Sequence, residues 1–228
     1  MGNRTIEFAQ GEWYHCYSRT IDRSRPFDGE QYVTRFLETL YLANNTTAMP
    51  NIPQLHSHLA HEEIFALPRE QPLVAIGSYC IMPTHYHLLL QPLADNGISV
   101  FMHKVGTGFT RSYNEQNGRV GNLFIKPFRS KHVDDDAYLK QVVQYIHLNP
   151  VELFEPQWKK GIINDKSSLE KKLRSYEYSS LIEHEGNKRP QSSIVDLDTL
   201  ALVRDNTINV EKMIAETVEY YQFLEIDL

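Results

Sequence analysis

The chain has 228 residues, of which 41% are hydrophobic and 23% are charged. This composition is typical of a globular protein with one large domain, or one domain and an appendage. The longest apolar run, PLVAIGSYCIMP, is too short to span a bilayer, and the N-terminus lacks the pattern of a signal peptide. We therefore expect no membrane association and a cytoplasmic location.

The net charge, its distribution and the cysteine content indicate which kinds of binding site the sequence favours. Only two cysteines occur, without CxxC spacing, which argues against a disulfide scaffold and against a cysteine zinc site. The net charge of −6 argues mildly against nucleic acid, because phosphate binding favours a basic surface. Between residues 104 and 131, however, six basic residues accompany a single acid. This strip is either solvated surface or a track for a phosphate backbone, and its members are Lys104, Arg111, Arg119, Lys126, Arg129 and Lys131.

The first half of the chain predicts a strand, a helix and a hairpin. Aromatic and β-branched residues at 12–21 predict a strand, and apolar residues at helical spacing predict a helix over 30–42. Residues 44–71 hold three prolines and many turn formers, which indicates an insertion with one short helix at most. Two further strands, PLVAIGSYCIMP and THYHLLLQP, are joined tightly at Pro83 and Thr84.

The second half predicts a helix, a strand and a second helix. Helical spacing at 98–113 is interrupted by GTG at 106–108, which contains poor helix formers. The run NLFIKPFRSKHV predicts a strand, and the acids at 134–136 offer an N-cap for the helix AYLKQVVQYIHLN. The order β-α-β-β-α-β-α predicts an α+β, ferredoxin-like sandwich, with helices on one face of a mainly antiparallel sheet of four to five strands. Residues 186–228 predict a linker and a C-terminal helix that docks on the core.

The stretch MPTHYHLLL places two histidines two positions apart on a predicted strand. Side chains at i and i+2 share a face, so His85 and His87 present adjacent imidazoles while Tyr86 and Leu88 face the other way. Adjacent neutral imidazoles suit a divalent metal. A hydrogen-bonded pair on a solvent-facing strand explains the same pattern.

The stretch YLKQVVQYIHLNPV places Tyr145 and Asn149 one turn apart on one face of a predicted helix. Asn149 precedes Pro150, which disfavours helical geometry, so we expect it at the helix end with its amide reaching outward. A structural tyrosine explains Tyr145 equally well. His147 points away from Tyr145 on this helix and is expected to be structural.

Together the two stretches resemble a known family. MPTHYHLLL resembles the histidine-hydrophobic-histidine signature of HUH nucleases, and QYIHLNPV resembles the tyrosine-bearing helix of their single-tyrosine transposases, especially the REP-associated tyrosine transposases. The resemblance spans about residues 12–182. It implies a catalytic domain over residues 1–185, with the insertion at about 44–71, before the linker and helix of 186–228.

The resemblance also implies a role for each motif residue. His85, His87 and the side-chain oxygen of Asn149 would bind Mg²⁺ or Mn²⁺, and two imidazoles favour Mn²⁺. Tyr145 would attack single-stranded DNA, leaving a 5′-phosphotyrosine and a free 3′-hydroxyl that allow strand transfer as well as cleavage. The expected substrates are hairpin-forming DNA ends, and a monomer is favoured over a homodimer.

The resemblance also concerns the DNA-binding surface, and the sequence departs from the family at several positions. The six basic residues would hold the DNA, and candidate stacking rings, which core packing explains equally well, are Tyr113, Phe124 and Phe128. The family's commoner Asn before the first histidine is Thr84 here, and ELFEPQW after NPV removes a positive charge near the nucleophile.

Competing interpretations come from two sources. A histidine cluster, HSHLAH at 56–61, is a rival metal site, although a solvated cluster explains it as well. The alternative functions are a non-catalytic DNA-binding regulator on the same scaffold and a metal-dependent phosphodiester hydrolase.

Overall fold

An antiparallel sheet of four strands organises the chain, whose computed structural model describes residues 7–56, 58–200, 210 and 212–217. The strands are β1 Trp13–Arg19, β2 Val74–Met82, β3 His85–Pro92 and β4 Arg129–Val133. The helices are α1 Glu30–Ala43, α2 Ile52–His56, α3 His61–Ile64, α4 Gly97–Asn117, α5 Asp136–Leu148, α6 Val151–Phe154, α7 Lys166–Arg174 and α8 Leu181–His184. Short 3-10 turns complete the order at residues 21–23, 26–28, 158–160 and 190–194.

The strand order is β2-β3-β1-β4, and every neighbouring pair is antiparallel. With α1 connecting β1 to β2 and α4 connecting β3 to β4, this is the ferredoxin-like topology. The predicted α+β class and antiparallel sheet are therefore confirmed. The hairpin between β2 and β3 turns at residues 83–84, as the sequence predicted.

The two faces of the sheet have different coverings. Tyr86, Leu88 and Leu90 of β3 join the main core under α1 and α4. Leu89, on the opposite face, packs in a second cluster beneath α5. The two crossover helices thus lie on one face as expected, and α5 adds a layer on the face that carries the histidines.

Helix α4 is continuous where the sequence indicated an interruption, because tertiary packing outweighs the weak helix propensity of GTG. A Cβ at Gly108 would lie 2.7 Å from Cε of Met49, so the glycine lets the insertion approach the helix closely. In the described ranges, α4 and every other helix fall short of the length and apolarity that a membrane span requires.

The insertion at 44–71 belongs to the core and forms two short helices, α2 and α3, where at most one was expected. Ile52 and Ile64 are buried in the main cluster. Nδ1 of His61 lies 2.7 Å from Oε1 of Glu38, a fully buried carboxylate on α1. The second oxygen of that carboxylate pairs with Arg35 at 3.2 Å. These contacts attach the insertion to α1.

The segment predicted as a linker packs against the sheet. Arg189 pairs with Glu183 at 2.6 Å and donates to the hydroxyl of Tyr79, while the backbone N–H of Asp196 donates to Ile76 on β2. These bonds cover the outer edge of β2 and make the segment part of the same packed body.

The expected C-terminal helix is described only in part. Val210 and residues 212–217 are helical, and Val210, Met213 and Ile214 pack with Leu148 and Trp158. The rest of the predicted helix lies outside the described residues.

Replacing the N-cap of α5 should weaken the fold measurably. The Asp135 carboxylate accepts a hydrogen bond of 2.7 Å from the backbone N–H of Tyr138. We predict that Asp135→Ala lowers the free energy of unfolding in urea by about 1 kcal/mol. Asp134→Ala is the matched control, since this exposed neighbour is not the cap, and should change stability by less than about 0.5 kcal/mol. Equal losses in the two variants would contradict the capping role.

Candidate active site

Two imidazoles lie side by side on the sheet face beneath α5. The ring centroids of His85 and His87 are 5.1 Å apart, with the planes nearly perpendicular at 86°. His87 is buried and His85 is partly exposed, at the end of β3 next to the hairpin. The strand alternation that the sequence predicted therefore brings both rings to one face.

Helix α5 carries the tyrosine and the asparagine over these imidazoles within the same chain. The Tyr145 ring lies 5.4 Å from that of His87, edge to face at 88°. The Asn149 side chain lies near His85 and raises the pKa of its imidazole. The structure thus brings together all four residues of the two sequence motifs.

The end of α5 positions the asparagine. Asn149 caps the helix with helical angles, φ −52° and ψ −40°, although it precedes Pro150, and α6 begins at Val151. The expected departure from helical geometry is therefore absent. The Asn149 amide instead turns back and donates to the backbone oxygen of Tyr145 at 2.8 Å. With its Nδ2 used in this way, the carboxamide oxygen is the atom left to act as an acceptor or a ligand.

A third histidine, which the sequence reasoning did not assign, completes the cluster. Nε2 of His15 on β1 lies 2.8 Å from Nδ1 of His87, within hydrogen-bond distance. The His15 ring also contacts Tyr145 edge to face, with 5.6 Å between centroids. Spacing within one strand gives no information about this contact, because it depends on the register between β1 and β3.

Strand β1 adds a ring and a cation beside the histidines. In the β1–β3 register, Tyr17 is opposite His87 and Arg19 is opposite His85. The Tyr17 ring stacks on that of His87 at 5.6 Å and 27°. Both residues alternate with His15 along β1 and share its face.

The buried histidines are neutral at physiological pH. Burial, reinforced by the charge of Lys131, lowers the pKa of His15 to about 4. Burial, followed by the charge of Arg19, lowers the pKa of His85 to about 4, and burial lowers the pKa of His87 well below its usual value. Neutral imidazoles keep a lone pair for a metal or a hydrogen bond.

The Tyr145 phenol is held in its protonated form. Burial raises its pKa to about 12, with smaller contributions from Tyr17 and Glu152, while the charge of Arg19 acts in the opposite direction. Any reaction at this oxygen therefore requires a group that accepts its proton.

Glu152 and Lys159 bring charges to the site from the segment after Pro150. Nζ of Lys159 lies 3.5 Å from Oε2 of Glu152. The Glu152 carboxylate raises the pKa of His85 and the Lys159 ammonium lowers it. Lys159, eight residues after Val151, therefore brings a positive charge near His85, although ELFEPQW after NPV carries none.

The two basic residues of α4 lie on the opposite side of the sheet from the histidines. Nζ of Lys104 donates to the backbone oxygens of Asn45 and Thr47 at 2.6 and 2.5 Å, which ties it to the insertion. Arg111 is exposed and pairs with Glu115 at 2.9 Å.

The other four basic residues follow α4. Arg119 bonds to Asn114 at 2.9 Å within the turn, and Lys126 is exposed in the loop before β4. Arg129 and Lys131 are exposed on β4, opposite Tyr17 and His15 in the strand register. These last two therefore share the histidine face.

The proposed stacking rings have other contacts. Phe124 is buried in the main core, so its ring is not available to a base. Phe128 stacks on Phe8 at 6.4 Å, and Tyr113 contacts Tyr32 at 4.9 Å.

His61 and His147, which lie outside this cluster, have structural contacts. Both ring nitrogens of His61 are engaged, by Glu38 at 2.7 Å and by Gln191 at 3.0 Å, which leaves neither for a metal. Nε2 of the fully buried His147 lies 2.9 Å from Oγ of Ser180, consistent with its expected structural role. Within the described part of the chain, no three His, Cys, Asp or Glu side chains are grouped to hold a metal. The set of His85, His87 and Asn149 differs from such a group because its third member is a carboxamide.

Comparisons with known proteins were made for sequence and structure. No family model matches the sequence, and a search of curated proteins finds no match. A solved structure of a REP-associated tyrosine transposase bound to a REP hairpin is similar, with 14% sequence identity and a TM-score of 0.48 over 84% of this chain and 90% of that chain. At this identity the similarity concerns the path of the backbone, so any inference about chemistry depends on the side chains described above.

Acid should destabilise the chain through His147. Its pKa is well below the ordinary 6.5 because it is buried, so its neutral form stabilises the fold above pH 6.5. That contribution is lost as the pH falls, since the unfolded chain binds a proton that the folded chain does not.

We predict that His147→Leu flattens the fall in unfolding free energy between pH 6.5 and 5 by up to about 1.4 kcal/mol per pH unit, measured by urea titration with chelator present. The control Gln141→Leu introduces leucine at an exposed position of the same helix that does not titrate, and should leave the slope unchanged. An unchanged slope in His147→Leu would show that His147 is not held neutral.

Proposed function

We propose that this protein cleaves and joins single-stranded DNA through a 5′-phosphotyrosine on Tyr145, with a divalent cation held by His85, His87 and Asn149. The observation that carries the proposal is the 5.4 Å approach of the Tyr145 ring to His87, on the sheet face where Asn149 lies near His85. The motif resemblance supplies the reaction type, and the geometry places its four residues together in one chain.

The donor set fits a hard or borderline cation. Two neutral imidazoles and one carboxamide oxygen suit Mn²⁺ and, with more water, Mg²⁺. When bound, such a cation would polarise the scissile phosphate and offset the charge that develops on its oxygens. Nδ1 of His85 lies 3.0 Å from the hydroxyl of Thr84, and Nδ1 of His87 lies 2.8 Å from His15. These contacts leave Nε2 of each ring as the nitrogen for the cation.

Tyr145 attacks the phosphorus and the bond to the 3′ oxygen breaks. The phenol proton passes to a base, and the departing 3′ oxygen takes up a proton to become a hydroxyl. The phenol is held protonated, so the base is a group yet to be assigned, and the charge of Glu152, which acts on both Tyr145 and His85, makes this carboxylate the candidate. Arg19 favours the developing phenolate, since its charge lowers the pKa of Tyr145.

Strand transfer is the reverse reaction with a different DNA end. A 3′-hydroxyl attacks the phosphotyrosine, the phosphate returns to DNA, and the phenol regains its proton. No external energy source is needed, because the covalent intermediate keeps a phosphodiester bond of similar energy.

The histidine face supplies the surface for DNA. Tyr17 is partly exposed beside His87 and offers a ring on which a base can stack. Arg19, Arg129 and Lys131 are the exposed cations of this face. Recognition of hairpin-forming ends follows from the motif resemblance and belongs to the same proposal.

One chain contains the complete set of proposed catalytic residues. Tyr145 and Asn149 come from α5 and both histidines from β3, all close together within the same molecule. This supports a monomer as the unit of activity. No residue of a second chain is needed to bring the tyrosine to the imidazoles.

Removal of the phenol should abolish the covalent intermediate. We predict that labelled single-stranded DNA and Mn²⁺ give an adduct on a denaturing gel, and that Tyr145→Phe gives none while DNA affinity changes by less than about threefold. The control Tyr32→Phe changes a tyrosine on the opposite side of the sheet and should form adduct as the parent chain does. Cut DNA without adduct would indicate a hydrolase, and binding without cutting would indicate a regulator.

Basic residues on the two sides of the sheet should affect DNA binding differently. We predict that Arg129→Ala weakens binding of single-stranded DNA and reduces the slope of log affinity against log salt by about 0.7, the loss of one phosphate contact. Arg111→Ala, on α4, should leave the slope unchanged. Fluorescence anisotropy over a range of salt concentrations measures both. A larger effect of Arg111 would place the DNA on the opposite face.

A further inference from the structure

In the hydrogen bond between His15 and His87, either ring can be the donor, and the choice determines whether Nε2 of His87 keeps its lone pair. Only one proton lies between the facing nitrogens, 2.8 Å apart, when both rings are neutral. If His87 donates from Nδ1, its Nε2 keeps a lone pair. If His15 donates instead, the neutral His87 carries its proton on Nε2 and does not bind a cation through that atom.

We propose that His15 is a positioning residue that accepts the Nδ1–H of His87 and thereby directs the Nε2 lone pair of His87 toward the cation. This role rests on the proposed function, because it concerns the same metal. It extends the site from the β3 and α5 motifs to the neighbouring strand β1. Metal-binding histidines commonly have such a partner on their second nitrogen, which fixes the tautomer and the ring orientation.

The surroundings of His15 support a fixed orientation. Its ring lies between those of Tyr17 at 5.2 Å and Tyr145 at 5.6 Å. The His15 and His87 rings lie edge to edge, with centroids 5.0 Å apart and 23° between the planes. His15 and His87 are only 8% and 5% exposed. Both lie on adjacent strands of a hydrogen-bonded pair, so their separation is set by the sheet. A buried imidazole held on three sides has little freedom to turn away from its partner.

The two proposed ligands differ in how their second nitrogen is satisfied. Nδ1 of His85 faces the hydroxyl of Thr84 at 3.0 Å, which can donate or accept. Nδ1 of His87 faces a ring nitrogen of His15, which in a given tautomer either donates a hydrogen bond or accepts one. His87 is therefore the ligand whose state depends on a neighbour, and His15 is that neighbour.

The first measurement needs no substitution. In the metal-free full chain labelled with ¹⁵N-histidine, long-range ¹H–¹⁵N correlation spectra at pH 7.5 should show His87 protonated on Nδ1. A His87 protonated on Nε2 would overturn the proposal directly. His87→Gln, whose spectrum lacks the His87 signals, assigns them by difference among the ten histidines.

The second measurement compares variants in Mn²⁺ binding without DNA. His15→Phe removes the acceptor and should weaken Mn²⁺ binding by about tenfold or more, measured by calorimetry. His15→Gln restores a side-chain oxygen that can accept and should recover affinity to within about threefold of the parent. His132→Phe, a histidine of β4 bonded to Glu12 at 3.0 Å, is the matched control and should bind as the parent does.

Adduct formation then separates this role from a general loss of structure. His15→Phe should need more Mn²⁺ for half-maximal adduct, with the rate at saturating Mn²⁺ largely recovered. If the parent chain binds Mn²⁺ and forms adduct but His15→Phe binds Mn²⁺ equally well, only the role of His15 is overturned. If the parent chain neither binds Mn²⁺ nor forms adduct, the proposed function and this role fall together.

Discussion

The alternation of side chains along β3 determines which face of the sheet carries the two imidazoles. Tyr86, Leu88 and Leu90 supply the main core, so the residues between them must face the other side. A slip of one residue in register would turn both imidazoles into the core under α1 and α4 and turn the leucines toward α5. The hydrophobic demand of the core therefore fixes the position of His85 and His87 as firmly as any contact within the site.

The polar groups beneath α5 are stable because they bond to one another. An unpaired polar group buried in a protein costs about 1–3 kcal/mol, so a face of imidazoles under a helix requires partners. His87 has His15 at 2.8 Å, and the Asn149 amide bonds to the helix backbone at 2.8 Å. Nε2 of His147, on the far side of the same helix, has Ser180 at 2.9 Å, whereas its buried Nδ1 has no hydrogen-bond partner among the described residues. Burial also keeps the imidazoles neutral, and the same low polarity favours the neutral phenol of Tyr145.

Sequence reasoning predicted the parts of the site that lie within one element. The i and i+2 spacing of the histidines and the i and i+4 spacing of Tyr145 and Asn149 are local properties, and the structure places each as the spacing implies. His15 and Arg19 were not predicted as part of the site, because their positions beside the histidines depend on how β1 pairs with β3. The basic strip was divided for the same reason, since α4 and β4 are adjacent in sequence but carry Arg111 and Arg129 on different sides of the sheet. The packing of residues 186–196 depends on the exposed edge of β2, which composition does not indicate.

Burial of the nucleophile has an advantage in the proposed reaction that offsets its cost. A pKa of about 12 makes Tyr145 a weaker nucleophile at neutral pH than an exposed tyrosine would be. The Tyr145 ring packs edge to face against the rings of His15 and His87, so its position beside the proposed cation ligands is set before DNA binds. In the proposed reaction the buried tyrosine gives up intrinsic nucleophilicity for a fixed position, and an in-line attack on a phosphate depends on that position.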